Sequence, residues 1–117
     1  MRTIERNIIS TIQSKRAGVY SLSNRDRVEI NDDEICVYLW NHLIYSINRK
    51  DNTVIFSLCG WNSNTTKSRL NALLGYCFGA GITQENYNLF FIINGKKTDI
   101  SSDKLYLVND NADISEL

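Results

Sequence analysis

The side chains of this chain most able to do chemistry are one histidine, three cysteines and a short acidic cluster. His42 falls in an expected hairpin tip. A general base needs a partner that orients it, and no Ser/His/Asp or Cys/His arrangement is evident around it. Cys36, Cys59 and Cys77 are widely spaced. They match neither a disulfide framework nor a C-x2-C zinc pattern, and they read as reduced, small hydrophobic residues. Asp32, Asp33 and Glu34 could hold a cation, but their spacing fits no calcium loop. No P-loop or dinucleotide glycine pattern is present. The expectation is a protein that is not an enzyme, with no metal and no cofactor.

Contact chemistry is a better match, and it concentrates in Gly60–Leu74. Trp61 in a polar loop, with Arg69 and Lys67 following it, resembles an interface anchor. The alternative is structural: Trp61 folds down over the end of the core, and Arg69 holds loop carbonyls around residues 61–64. The helix start at Thr65, Thr66 and Lys67 offers free N–H groups to a phosphate, as any capped helix does. Lys67 and Arg69 with Arg49 and Lys50 could form a local basic patch on which Trp61 stacks a base. However, Lys+Arg and Asp+Glu are both 13. The resulting zero net charge argues against a dedicated duplex-DNA binder, which needs a cationic surplus to neutralise phosphates.

These residues must be positioned by an α+β scaffold. Ile4, Ile8, Ile9 and Ile12 mark one face of a helix over 3–16. Arg2, Arg6, Lys15 and Arg16 lie off that face, on a solvated or contact side. The period then changes to two, giving strands at about 26–30, 34–40, 43–48 and 53–59. A two-residue turn at Asn41-His42 would place Cys36, Tyr38, Trp40, Leu43, Tyr45, Ile47, Val54, Phe56 and Leu58 on one uncharged face. That face reads as core. The opposite face would carry Ile35, Val37, Leu39, Ile44 and Ile55, an aliphatic patch suited to a partner or to a homodimer through the sheet, unless the C-terminal segment covers it.

A second helix at about 65–77 carries the stripe Leu70, Leu73, Leu74 and Cys77, with a capping residue among Asn64, Thr65 and Thr66. Asn88–Ile93, the turn Asn94-Gly95 and a return strand at 97–100 form a C-terminal β-hairpin, and 104–108 is one more short strand. The reading is an antiparallel β-meander of three to four strands packed by two helices and followed by that hairpin.

The length of 117 residues and the lack of any linker indicate one domain over 1–108, with 109–117 as a loose acidic tail. Neither a membrane-spanning run nor a signal-type N-terminus is seen, so the expected location is a cytoplasm.

Two pieces of the chain carry a resemblance. One is Val37-Tyr38-Leu39-Trp40-Asn41-His42-Leu43-Ile44. The other is Gly60-Trp61-Asn62 followed by Thr65-Thr66-Lys67-Ser68-Arg69-Leu70-Asn71-Ala72-Leu73-Leu74. Together they resemble a group of small, largely uncharacterised accessory proteins of tailed bacteriophages, over roughly residues 26–100. The resemblance implies a protein of the host cytoplasm that binds a host protein or nucleoprotein complex and inhibits or redirects it. Anti-CRISPR and other anti-defence inhibitors are of that type. The alternative is a nucleic-acid-binding accessory protein that uses the local basic and aromatic patch.

Overall fold

Two helices and ten strands make up the chain, in an α+β arrangement with antiparallel pairing throughout. The structure, a computed structural model, describes residues 1–117. In order these are α1 (Thr3–Ser14), β1 (Gly18–Ser21), β2 (Asp26–Ile30), β3 (Glu34–Leu39), β4 (His42–Asn48), β5 (Val54–Phe56), α2 (Asn64–Phe78), β6 (Gly81–Glu85), β7 (Asn88–Ile93), β8 (Lys96–Ile100), β9 (Tyr106–Val108) and β10 (Ile114–Glu116). A seven-stranded sheet has the order β1-β2-β3-β4-β5-β9-β10, and β6-β7-β8 form a separate three-stranded sheet.

The meander is longer than the sequence period suggests. Val19 and Ser21 of β1 are exposed, so no apolar alternation marks that strand. Residues 109–117 are not a loose tail, because Ile114–Glu116 pair with Val108–Tyr106 and widen the sheet by one strand. The strand β6 lies in a stretch that carries no clear pattern. The expected hairpin at Asn94-Gly95 forms as read, with φ of 50° and 77° at its two central residues.

Register separates the structure most sharply from the sequence reading. The tight turn is Trp40-Asn41 (φ 51° and 64°), not Asn41-His42. Leu39 therefore pairs with His42 and Tyr38 with Leu43. The pairing then shifts, and Val37 opposes Tyr45 while Ile44 is the extra residue of a β-bulge. The bulge turns both Ile44 and Tyr45 inward, at 2% and 0% exposure.

Because the side-chain period is two, the one-residue shift exchanges the faces of β3. Ile35, Val37 and Leu39 are 1–3% exposed and lie in the core with Ile44. They are not the surface patch that the Asn41-His42 turn would have given. Trp40 and Leu43, expected inside, are 47% and 42% exposed. Of the aliphatic set, only Ile55 lies on the outer side, where it is half-buried between Ser46 and Leu107.

The core lies between the inner sheet face and α1, α2 and the small sheet. Ile8 and Ile12 of α1 and Leu70, Leu73 and Leu74 of α2 join Val37, Tyr45 and Phe56 in one cluster. Phe56 stacks with Phe91 of the small sheet at a centroid separation of 6.1 Å and with Tyr106 at 5.6 Å. Ser63 is the N-cap of α2, accepting from the Thr66 N–H. Gly79 ends the helix at φ 66°, a conformation glycine adopts without a Cβ penalty. Asn71 then accepts from the Ile82 N–H at 2.6 Å, docking β6 on the helix.

The exchanged faces predict different mutational costs. Ile35→Ala and Leu39→Ala should each lower unfolding free energy by about 2–5 kcal/mol, and Ile55→Ala by roughly 1 kcal/mol or less. Urea unfolding followed by circular dichroism reads all three. Equal losses at the three positions would restore the unshifted register.

Candidate functional site

The tip of the β3–β4 hairpin and the loop that precedes α2 each carry a half-exposed tryptophan. Trp40 occupies a position of positive φ in the turn, which holds its bulky side chain at the surface. Its backbone N–H donates to the Arg25 carbonyl at 2.8 Å, tying the tip to the β1–β2 loop. Trp61 follows Cys59 and Gly60, both of positive φ, and its N–H donates to Leu58 O at 2.9 Å. The Gly60 N–H reaches Ser102 O at 2.7 Å, and the Cys59 thiol donates to Leu43 O at 3.2 Å. These contacts bring the Trp61 ring onto His42, centroid to centroid 4.9 Å at a tilt of 57°. Trp61 remains 47% exposed.

A second exposed group lies on the outer face of the sheet. Arg27, Tyr38 and Leu43 are cross-strand neighbours on β2, β3 and β4. The Arg27 guanidinium sits 4.2 Å from the Tyr38 ring centroid, donates to Asn41 Oδ1 at 2.7 Å and pairs with Glu29 at 2.7 Å. Trp40 and Trp61 are each half-exposed and line different clefts, Trp40 with Arg25 and Arg27 and Trp61 with Leu39 and His42.

Arg69 is not part of that surface. It is fully buried, at 0% exposure, and it does not hold the carbonyls of residues 61–64. Its Nε donates to Asp26 Oδ1 at 2.7 Å, its Nη2 to Asp26 Oδ2 at 3.3 Å, and its Nη1 to Glu5 Oε2 at 2.8 Å. Glu5 and Asp26 are 2% and 1% exposed. Ser68 donates to the same Glu5 oxygen at 2.6 Å, and the Arg2 N–H donates to the other at 3.1 Å. Ser23 donates to Asp26 Oδ2 at 2.8 Å. No buried side-chain polar atom in the protein lacks a partner. The cluster thus joins α1, the start of β2 and α2.

Lys67 is also engaged, donating to Gln84 Oε1 at 2.8 Å. Thr66 is buried and shares a hydrogen bond with Ser63, so its hydroxyl serves the helix cap and does not face outward. Arg49 and Lys50 lie in the turn at the far end of β4 and do not join Lys67 in one patch. Of the sequence-read contact residues, Trp61 alone combines large exposure with an unpaired side chain. Trp40 and Leu43 were missed because a turn centred on Trp40 has no signal in side-chain propensity, tryptophan having no preference for positive φ.

Reactive groups are few. Burial pushes the Cys36 thiol up to about 11, with Glu34 and Glu29 adding to the effect. Burial also raises the Cys59 and Cys77 thiols. All three are therefore protonated near neutrality and are poor nucleophiles. No three His, Cys, Asp or Glu side chains converge as metal ligands. No helix is long and apolar enough to cross a membrane.

Burial opposes ionisation of Glu5, but the bonds from Ser68, the Arg2 N–H and Arg69 outweigh it and hold its pKa below the ordinary 4.5.

Among known proteins, the family model described as Kyanoviridae Gp96 protein matches residues 1–111. No curated protein and no solved structure matches the chain.

Two outcomes follow from the buried cluster. Arg69→Met strands two carboxylates in the core and should cost about 3–5 kcal/mol in chemical unfolding. The folded pKa of Glu5 lies below its unfolded one. Its stabilisation is therefore complete above pH 4.5 and is lost as pH falls through the lower folded value. Thermal unfolding should show a falling midpoint below pH 4.5, with a shallower fall in Glu5→Gln. An equally steep fall in the variant would remove Glu5 from the explanation.

Proposed function

The chain belongs to the Kyanoviridae Gp96 protein family and is a phage protein, and from this we propose that it is a non-enzymatic accessory protein that binds a protein complex of the bacterial host and inhibits or redirects it. The observation that carries the reading is a pair of tryptophans at the surface, Trp40 in the hairpin turn and Trp61 in the loop before α2, each 47% exposed. Tryptophan is enriched among residues that dominate binding energy, because it buries a large rigid surface at low entropic cost. The tip is held by backbone bonds from three separate segments. Little ordering entropy then remains to be lost on association. Raised thiol pKa values and a histidine packed on a tryptophan in place of an orienting carboxylate support a binding role over turnover. The protein would act in the host cytoplasm, and an anti-defence inhibitor is the type of activity that fits best.

Direct nucleic-acid binding is the second reading, favoured by Arg25 and Arg27 beside Trp40. Against it, Arg27 is already paired with Glu29 and Arg25 lies 3.6 Å from Asp26. Little free positive charge remains there to meet phosphates.

Tagged protein incubated with host lysate, with and without nuclease, separates these readings. The expected result is a retained host protein that survives nuclease and is lost with Trp40→Ala/Trp61→Ala. That variant should keep its circular dichroism spectrum, since both rings are half-exposed. Retention of nucleic acid alone, with binding that falls steeply as salt is added, would replace the protein-binding reading.

A further inference from the structure

At the other end of β4 from the tryptophans lies a cavity of about 520 Å³. It opens where the C-terminal ends of α1 and α2 meet the end of the large sheet. Ile12, Ile35 and Val54 lie beneath it and are closed to solvent, at 4%, 3% and 1% exposure. Ile47 and Phe78, half-buried, line its walls. Its size lies within the roughly 300–1,000 Å³ of small-molecule sites, which are mostly apolar with a few placed polar groups.

The polar lining is unevenly charged. Lys15 and Arg49 both line the cavity, against one carboxylate, Asp110. None of the three takes part in an ion pair. The Arg49 guanidinium donates to the Asn31 carbonyl at 2.6 Å. One side of it is thereby fixed, and no anion neutralises it. Lys15 is the C-cap of α1 at φ 54°, ψ 18°, a left-handed conformation that glycine or asparagine usually supplies. A lysine there carries backbone strain and sets a cation at the cavity mouth. The helix C-terminus favours a cation at this position but does not account for the second one at Arg49.

We propose that this cavity binds a small amphipathic carboxylate, with its apolar part against the Ile47, Cys77 and Phe78 walls and its carboxylate toward Lys15 and Arg49. The chemistry recognised is an apolar group ending in a single anion. Arg49 offers a planar donor array that suits a carboxylate, and Lys15 adds a mobile charge. The site is separate from the tryptophan tip and independent of the role proposed for it.

Decanoate and the uncharged decanol, both below their aggregation limits, serve as probes in isothermal titration calorimetry. Wild-type protein should bind decanoate about tenfold or more tighter than decanol, the ratio expected of one charge-assisted contact. The surface variant Lys15→Gln/Arg49→Gln should remove that preference while leaving decanol binding unchanged. Ile47→Trp, which fills the cavity from its wall, should abolish binding of both. Trp40→Ala/Trp61→Ala should bind decanoate as wild type does. The proposal is overturned if decanoate fails to bind, if the two probes bind equally, if the preference survives in the double glutamine variant, or if loss of the tryptophans removes it.

Discussion

The Glu5–Arg69–Asp26 cluster is the constraint on which the rest of the fold depends. A guanidinium at 0% exposure is tolerable only if carboxylates meet it with correct geometry, and here two do so from different elements. Glu5 comes from the first helix, Asp26 from the first residue of β2, and Arg69 from the second helix. Apolar packing sets which faces come together but tolerates sliding. A forked donor between two carboxylates does not, so the cluster sets the rotation of both helices against the sheet. Replacing such a cluster by hydrophobic residues is often neutral for stability, whereas removing one partner is costly because it leaves a buried charge unpaired.

That positioning reaches the surface. Asp26 pairs with Leu39 in the sheet and anchors the loop from Ser23, whose Arg25 carbonyl accepts from the Trp40 N–H. Three residues beyond Ser63, Thr66 closes the cap of the helix that presents Arg69, and Trp61 lies just before that cap. The two exposed tryptophans are thus held by segments that the buried ions bring into register. The string Thr65–Asn71 then has a structural explanation without any ligand: cap, buried ion and dock for β6 through Asn71.

The bulge at Ile44 is the second determinant. It lets six aliphatic and aromatic side chains of β3 and β4 share the inner face although strict alternation from the turn would divide them. The turn and the bulge act together. Moving the turn one residue toward the N-terminus changes the face of β3, and the extra residue on β4 restores the inward direction of Tyr45 and Ile47. The aliphatic row of β3 thereby becomes core, and Trp40 and Leu43 become surface.

Much of the scaffold was legible in the residues themselves. The isoleucine stripe of α1, the leucine stripe of α2, the strands from 26 to 56 and the Asn94-Gly95 hairpin follow from local period and turn chemistry, which act over a few residues. β1, β6 and β10 were not legible, because an edge or half-exposed strand gains its stability from its neighbour's backbone and leaves no apolar alternation. Trp61 could be read as an exposed anchor from its polar loop. Arg69 was read as its partner, since a charged residue on the border of a helix stripe is usually solvated and nothing local marks the two carboxylates 43 and 64 residues away.

The sequence by itself therefore determined the α+β class, the two helices and the absence of any recognisable catalytic pattern. Only the tertiary structure decided which face of the sheet is inside, that Arg69 is buried and that Trp40 is exposed. Those three outcomes depend on a one-residue register shift and on ion pairs between distant segments, and neither leaves a trace in local residue spacing.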